Sequence, residues 1–239
     1  MLKTIQVLYE DADLVVFNKP AGMLVVPSPK KEKNTLTDIV NEHYVFGATG
    51  SKGQAKRLYP CHRLDRETSG VILFAVGAQN QERMMAEFKA QRVQKKYIAF
   101  VHGQMTRPSG EITKPVHDFH ERQFARQAGH RRPAGPAHSA KTSYKVVEVR
   151  RGFSVVEVSP KTGRTHQIRI HFQQIGYPLL GERLYAHAKD FSLNFRRLAL
   201  HAWQVSWVHP VSKKRITVES PLPDDMRKFW ESGFILKKR

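Results

Sequence analysis

The stretch HRLDRETSG, residues 62–70, places one aspartate between two arginines at the start of an apolar run. The following run VILFAV, residues 71–76, is apolar throughout, which predicts a buried strand. Asp65 therefore stands at the mouth of that strand, with Arg63 and Arg66 on either side. Positive charges so close favour the ionised carboxylate, which is the form that a nucleophile or a general base needs. From these residues alone, a structural ion pair at the strand end is an equally good interpretation.

A second basic stretch, KTGRTHQIRIHF (residues 161–172), favours the chemical interpretation. Its pattern predicts a helix over residues 166–175, with Arg164 at the start and Arg169 on the face that the apolar residues leave open. An arginine at the edge of the buried face of such a helix needs an anionic partner, because an unpaired charge is costly to bury. Asp65 is the best candidate for that anion in the chain.

The charge of the chain points to a polyanionic partner. The 239 residues include 40 Lys+Arg against 21 Asp+Glu, a formal net charge of +19. Such an excess favours nucleic acid over a generally basic surface, because each phosphate that is neutralised releases counterions. With 40% hydrophobic residues, the chain is expected to fold.

Basic residues are concentrated in residues 119–141, where no helix or strand periodicity is visible. Arginine supplies most of this charge, at Arg122, Arg126, Arg131 and Arg132. The segment could be a linker between two domains or a basic insertion loop of one domain. We favour the insertion loop, because the segments on both sides predict strands of one sheet.

Several kinds of site are disfavoured by the sequence. Cys61 is the single cysteine, which excludes an internal disulfide and a cysteine-cluster metal site. His166 and His171 lie about 140° apart around a helix and so cannot share a face as metal ligands. No glycine-rich phosphate loop occurs. We therefore expect no metal and no nucleotide. The acidic N-terminal stretch and the lack of a long apolar run predict a cytoplasmic protein without a membrane segment.

Alternating and amphipathic patterns predict a chain in which strands outnumber helices. Predicted strands cover residues 5–9, 14–18, 71–76, 96–102, 142–149, 153–158, 197–208 and 215–218; predicted helices begin after Thr35 and cover residues 80–90, 166–175 and 224–230. Met84, Met85 and Phe88 are expected on one face of the helix over 80–90, and residues 150–152 are expected to form a hairpin turn. We expect a single α/β (α+β) domain over residues 1–239, built on a long mixed, mostly antiparallel sheet with flanking helices and an active-site cleft.

The motif HRLDRETSG resembles the H-R-L-D-x-x-T-S-G motif of the RluA-type pseudouridine synthases. Five further segments are similar to motifs of that family and follow in family order: NKPAG (18–22), KYIA with VHG (96–103), GRTHQIR (163–169), PLLG (178–181) and LALHA (198–202). The resemblance spans about residues 14–202. It implies a pseudouridine synthase-like fold and isomerisation of uridine to pseudouridine in structured RNA, a reaction that needs no cofactor.

The resemblance also implies a role for each site residue. Asp65 would be the essential catalytic aspartate, and Arg169 would pair with it. Tyr97 would lie against the flipped uracil. Leu198 or Leu200 would pack near the base, and the motif does not decide which. Thr68 and Ser69 would hold the catalytic turn against the strand.

RNA contacts are expected from the catalytic domain itself. Arg63 would enter the RNA stack where the uridine is flipped out, and His62 and Arg164 would contact RNA beside it. No separate N-terminal RNA-binding domain is expected, because the NKPAG turn begins at residue 18. The basic loop at residues 119–141 would then supply affinity. Ribosomal and transfer RNA both remain open as substrates, and we expect a monomer.

Two rival functions remain at this point. One is a catalytically silent RNA-binding or RNA-folding protein on the same scaffold. The other is a base-excision glycosylase, which shares base flipping and a carboxylate but not the ordered motifs.

Overall fold

The chain is described by a computed structural model, which covers residues 5–29, 32–43, 57–117, 136–185, 193 and 195–232. It separates into two compact units. The first unit comprises Met1–Lys95 and His201–Pro223, and the second comprises Lys96–Leu200 and Asp224–Arg239. This division does not test the prediction of one catalytic domain over residues 1–239, which stays a prediction.

The described residues form short strands and a few helices. In chain order these are β1 (Gln6–Glu10), β2 (Leu14–Lys19), α1 (Leu36–His43), β3 (Leu58–Pro60), β4 (Ser69–Val76), α2 (Ala78–Lys89), β5 (Gln94–His102), β6 (Ser109–Ile112), β7 (Val116–His117), β8 (Ala137–His138), β9 (Thr142–Arg150), β10 (Phe153–Pro160), α3 (Gln167–Gln174), β11 (Leu200–Val208), β12 (Arg215–Glu219) and α4 (Asp224–Glu231).

The first unit is built around β4, which is buried along its whole length. Strands β2 and β3 pair with it antiparallel, β1 extends β2, and β12 extends β11. At its start β4 also runs parallel to β11, where Ser69 is opposite His201 and Gly70 is opposite Ala202. A fully buried central strand explains why residues 71–76 are apolar at every position and do not alternate.

Local rules account for α1. The backbone N–H of Asp38 donates to the Thr35 hydroxyl at 3.3 Å, and the Asp38 carboxylate accepts the N–H of Thr35 at 2.9 Å. This reciprocal pair satisfies two donors at the helix start. The predicted N-cap at Thr35 is therefore confirmed.

Helix α2 corrects one detail of the predicted packing. Met84 is fully buried and Phe88 packs beside it, but Met85 is 51% exposed. Residues four apart share a helix face, whereas adjacent residues point about 100° apart. The sequence interpretation that placed Met85 on the buried face was wrong.

The second unit contains an antiparallel sheet in the order β5-β10-β9-β6. The predicted hairpin joins β9 and β10, and its turn includes Gly152 at φ 88°, a left-handed conformation that suits glycine. Helix α3 packs Ile168 and Phe172 into a core shared with β5 and β10. In α4, Phe229 contacts the rings of Phe100, Phe153 and Phe195.

The flanks of the basic segment meet in the second unit. Val116 in β7 is opposite His138 in β8, and His117 is opposite Ala137. Residues 118–135 lie outside the described part, and with them Arg122, Arg126, Arg131 and Arg132.

The strands in both units pair mostly antiparallel and are accompanied by helices, which confirms the predicted fold class. One predicted strand was too long: regular β11 structure begins at Leu200, and residues 197–199 lie outside it. The short strands β3, β6, β7 and β8 were not predicted. In the part of the chain that is described, no helix is long and apolar enough to cross a membrane.

Candidate active site

The turn that carries Asp65 connects β3 to β4. Asp65 is half-buried, Arg63 is exposed, and Leu64 between them is buried. The carbonyl of Asp65 accepts the N–H of Thr68 at 3.1 Å, which closes the turn just before the strand begins. The Leu64 side chain thus anchors the turn, while Arg63 and part of Asp65 lie at the surface.

Lys19 ties the NKPAG turn to this segment. Its side chain is fully buried, and Nζ donates to the carbonyls of Pro20 at 2.9 Å, Met23 at 2.7 Å and Arg66 at 3.1 Å. The N–H of Gly22 donates to the same Arg66 carbonyl at 2.8 Å. Because Arg66 directly follows Asp65, these bonds fix the backbone at the predicted catalytic residue. Lys19 was missed as a site residue, since lysine is rarely fully buried.

Ser69 and Gly70 attach the other end of the turn to β11. The Ser69 hydroxyl lies 3.0 Å from Nδ1 of buried His201, whose Nε2 lies 3.2 Å from the carbonyl of Ser220. A carbonyl only accepts, so Nε2 carries the proton and Nδ1 accepts from the hydroxyl. At Gly70, a Cβ atom would meet the Ala202 carbonyl oxygen at 2.1 Å. Close approach of β4 to β11 therefore requires glycine here.

His62 is held inside the first unit. Its ring packs on Phe88 with centroids 4.8 Å apart, and its Nε2 accepts the N–H of Leu73 at 3.1 Å. Burial, helped by the nearby charge of Lys95, lowers the pKa of His62 to about 3. The ring is thus neutral at physiological pH and braces β4. The expectation that His62 also contacts RNA stays a prediction.

In the second unit, Arg169 on α3 forms a buried ion pair with Glu182. Its Nε and Nη2 donate to the two carboxylate oxygens, each at 2.7 Å. Burial alone would raise the pKa of Glu182, but the hydrogen bonds and charge of Arg169, with the N–H groups of Leu184 and Tyr185, hold it below its usual range. The sequence interpretation named Asp65 as the anion for Arg169. Glu182 is a partner that it missed, and the pairing with Asp65 stays a prediction.

Two further side chains surround this pair. The Tyr185 ring lies 5.3 Å from the Arg169 guanidinium carbon, and its hydroxyl shares a 2.8 Å hydrogen bond with Nδ1 of His166. His166 precedes α3 with φ 54°, a left-handed conformation that is uncommon for a residue other than glycine.

The predicted base-packing residues belong to one apolar cluster of the second unit. Leu198 and Leu200 are both buried in it, and Tyr97 on β5 packs against it half-buried, opposite Val158 of β10. The N–H of Leu200 donates to the carbonyl of Leu198 at 2.9 Å, which makes a tight turn between them. Since both leucines are equally buried, the choice between them stays open.

Arg164 is exposed at the entrance to α3. Its backbone N–H donates to the side chain of Gln167 at 3.1 Å, and the amide nitrogen of Gln167 donates to Lys141 at 3.0 Å and to Thr142 at 2.9 Å. Gln167 therefore links the Arg164 turn to the segment that follows β8. This link ties one predicted RNA contact to Lys141 and Thr142, at the end of the basic segment.

Two groups of predicted residues are thus assembled by the described contacts. His62, Arg63 and Asp65 share one turn of the first unit. Tyr97, Leu198 and Leu200 share one core cluster of the second unit, and α3, which carries Arg169, packs Ile168 and Phe172 into that same cluster.

A possible cation site in the first unit does not fit a metal. Within the described residues, ligand atoms of Asp11, Asp13 and His209 lie within 4.8 Å of one another. Nδ1 of His209 accepts the N–H groups of Val211 at 3.2 Å and Ser212 at 3.0 Å. Because Nδ1 accepts, Nε2 carries a proton, and it lies 3.2 Å from the Asp11 carboxylate. A protonated nitrogen cannot bind a cation, so the group is structural.

Residues 13–174 match the family model described as RNA pseudouridylate synthase. The chain belongs to the RNA pseudouridylate synthase family. It is 34% identical to the uncharacterized RNA pseudouridine synthase YlyB of Bacillus subtilis, over 95% of this chain and 72% of that protein. It is also 32% identical to ribosomal large subunit pseudouridine synthase D of Zymomonas mobilis, over 93% of this chain and 71% of that protein. These matches confirm the RluA-type resemblance.

A solved structure confirms the fold. Human RNA pseudouridylate synthase domain containing 1 superposes with a TM-score of 0.73 at 23% identity, covering 92% of this chain and 84% of that one. As a pseudouridylate synthase the chain is an isomerase, and its substrate is RNA. Four of the six motif segments lie within residues 13–174, and PLLG (178–181) and LALHA (198–202) follow that stretch.

Proposed function

We propose that Asp65 is the catalytic aspartate of this synthase. The proposal rests on the hydrogen bonds that hold the turn of Asp65 in place. Lys19 and Gly22 bind the carbonyl of the next residue, and Ser69 bonds to His201 at the start of β4. A half-buried carboxylate on a turn fixed at both ends is pre-organised, and pre-organisation is what a nucleophile or a general base requires.

Arg63 is proposed to enter the RNA stack in place of the target uridine. Its exposure, two residues before Asp65 on the same turn, supports this role. Flipping a base costs a few kcal/mol of unstacking, which an inserted guanidinium and phosphate contacts can offset. Arg164 and the basic insertion at residues 119–141 are proposed to add contacts to the phosphates of the RNA backbone.

Arg169 is proposed to keep the Asp65 carboxylate charged and oriented. Tyr97 and either Leu198 or Leu200 are proposed to hold the uracil ring. Their place in one apolar cluster supports this assignment, because a flipped base needs apolar and aromatic surface to replace its lost stacking.

The RNA substrate is proposed to be a structured ribosomal or transfer RNA. Similarity to proteins named ribosomal large subunit pseudouridine synthase D favours ribosomal RNA. We further propose that the protein acts in the cytoplasm as a monomer, in one catalytic domain, without a metal or a nucleotide. The isomerisation breaks the N1–C1′ bond and joins C5 to C1′, so it needs no redox partner.

Pseudouridine sequencing of total RNA tests this proposal. RNA from cells that lack the protein would be incubated with purified wild-type protein, with Asp65→Asn protein, or with buffer. We expect one or a few new sites in ribosomal or transfer RNA with the wild type and none with the variant. RNA that binds the wild-type protein but gains no pseudouridine would favour a silent RNA-binding function.

A further inference from the structure

We propose that Glu182 is a positioning residue that holds Arg169 in the single orientation the reaction uses. The inference rests on the proposed roles of Asp65 and Arg169. It adds a residue whose role would be exerted through the Arg169 guanidinium alone.

The geometry of the pair fixes the guanidinium plane. Both hydrogen bonds are 2.7 Å long and run from Nε and Nη2, so they form a two-pronged contact along one edge of the group. Such a contact determines rotation as well as position, which a single hydrogen bond does not. It also leaves Nη1 directed away from the Glu182 carboxylate. Arg169 is 6% exposed and Glu182 is 1% exposed, so water competes little with these bonds.

Glu182 is itself held by backbone. Its Oε1 atom accepts the N–H of Leu184 at 2.8 Å and that of Tyr185 at 3.3 Å. The preceding Gly181 has φ 73°, and a Cβ atom there would lie 1.7 Å from the carbonyl oxygen of Arg197. Only glycine fits this turn. The PLLG segment therefore places Glu182 beneath α3 with little freedom to move.

Tyr185 limits Arg169 from a second direction. Its ring covers the guanidinium at 5.3 Å, and its hydroxyl is fixed by His166 at 2.8 Å. The contact with His166 comes from the residue that begins α3 in a left-handed conformation. One guanidinium is thus constrained by a carboxylate below it and by an aromatic ring across it.

Stability alone does not explain this arrangement. A buried ion pair gains little net free energy, because the cost of removing two charges from water cancels most of the attraction. Replacing a buried ion pair by well-packed hydrophobic residues of similar volume is often neutral or stabilising. The ion pair also holds the Arg169 guanidinium in one orientation. A fixed guanidinium can in turn orient the proposed catalytic carboxylate of Asp65.

The experiment compares four proteins in single-turnover release of tritium from RNA that contains 5-³H-uridine: wild type, Glu182→Gln, Arg169→Lys and the double variant. Glu87→Gln is the matched control, because Glu87 makes a similar two-pronged pair with Arg92 on the surface of the first unit. RNA affinity and thermal midpoint are measured for each protein. The Arg169 Nε–H resonance is followed by NMR, since a buried, bonded Nε–H exchanges slowly.

We expect Glu182→Gln to slow the reaction by about tenfold or more, the order of loss that a small misplacement of a reacting group produces. RNA affinity should change little, Glu87→Gln should match the wild type, and Glu182→Asp should recover part of the rate. In the Arg169→Lys background, Glu182→Gln should slow the reaction much less than in the wild type, because lysine cannot donate the two parallel hydrogen bonds that the arginine makes to Glu182. The Arg169 Nε–H signal should exchange faster in Glu182→Gln.

A Glu182→Gln protein with a lower melting temperature but a wild-type rate per folded molecule would overturn the inference. Equal rate losses in both backgrounds would also overturn it. If Glu182→Gln does not fold, Glu182→Asp is judged by the same criteria. Wild-type and Asp65→Asn proteins in the same assay separate the two proposals. An active wild type with a wild-type-like Glu182→Gln refutes only the role of Glu182, whereas an inactive wild type refutes the proposed function and this inference together.

Discussion

Lys19→Met is expected to destabilise the protein and loosen the turn at Asp65. The substitution keeps the unbranched, apolar stem but removes the donors to the carbonyls of Pro20, Met23 and Arg66. Hydrogen bonds to a charged group contribute about 1.5–3 kcal/mol each, so the three bonds sum to roughly 5–9 kcal/mol. Removing the ammonium group also removes its desolvation cost of several kcal/mol. The net loss of unfolding free energy should be about 2–4 kcal/mol.

Urea unfolding followed by circular dichroism measures this loss. The control is Lys89→Met, at an exposed position near the end of α2, which should stay within about 0.5 kcal/mol of the wild type. Lys19→Met should also slow isomerisation per folded molecule, because the Arg66 carbonyl loses one of its two donors beside Asp65. A Lys19→Met protein as stable and as active as the control would refute the view that this lysine fixes the turn.

Three further changes are predicted. Gly70→Ala should lower the free energy of unfolding by more than about 3 kcal/mol in thermal denaturation, because a Cβ atom would lie 2.1 Å from the Ala202 oxygen. The control Gly176→Ala has positive φ but open space, so it should lower it by only about 1–2 kcal/mol. Equal losses would contradict the steric argument. His62→Gln keeps an acceptor near Leu73 but cannot titrate. The free energy of unfolding of the wild type should fall from pH 6.5 towards pH 3, because burial lowers the pKa of His62 to about 3 and only the unfolded chain binds the proton in that range. In His62→Gln it should fall less steeply with pH. Equal slopes for the two proteins would count against this account. Tyr97→Phe should bind RNA as the wild type does but turn over more slowly, and unchanged turnover would show that the hydroxyl has no part in the reaction.

Elements set by local patterns could be predicted from the sequence. The apolar run of β4 and the Thr35–Asp38 cap of α1 depend on neighbouring residues, so their positions followed from periodicity and capping rules. The short ladder between β7 and β8 pairs residues that lie about 20 positions apart, on either side of the basic segment. No local pattern specifies such a pairing, and two-residue strands are too short to show alternation.

The same distinction between local and distant contacts applies to the site residues. The turn of Asp65 and the helix of Arg169 were recognisable because charged residues next to an apolar run are unusual. Glu182 was missed because an acid after a loop glycine resembles a solvated surface residue, and its partner lies 13 positions earlier on a different element. Lys19 was missed because its burial depends on carbonyls that the NKPAG turn and the Asp65 turn bring together only in the fold.

The most direct test of the account is tritium release by Asp65→Asn protein. The substitution keeps the shape and volume of the side chain and removes its negative charge, so the fold and RNA binding should survive. Purified wild-type protein should release tritium from 5-³H-uridine in its RNA substrate as C5 forms its bond to C1′. Asp65→Asn protein, shown to be folded and to bind the same RNA, should release none above background. Release at the wild-type rate by the variant would contradict the assignment of the chemistry to this aspartate.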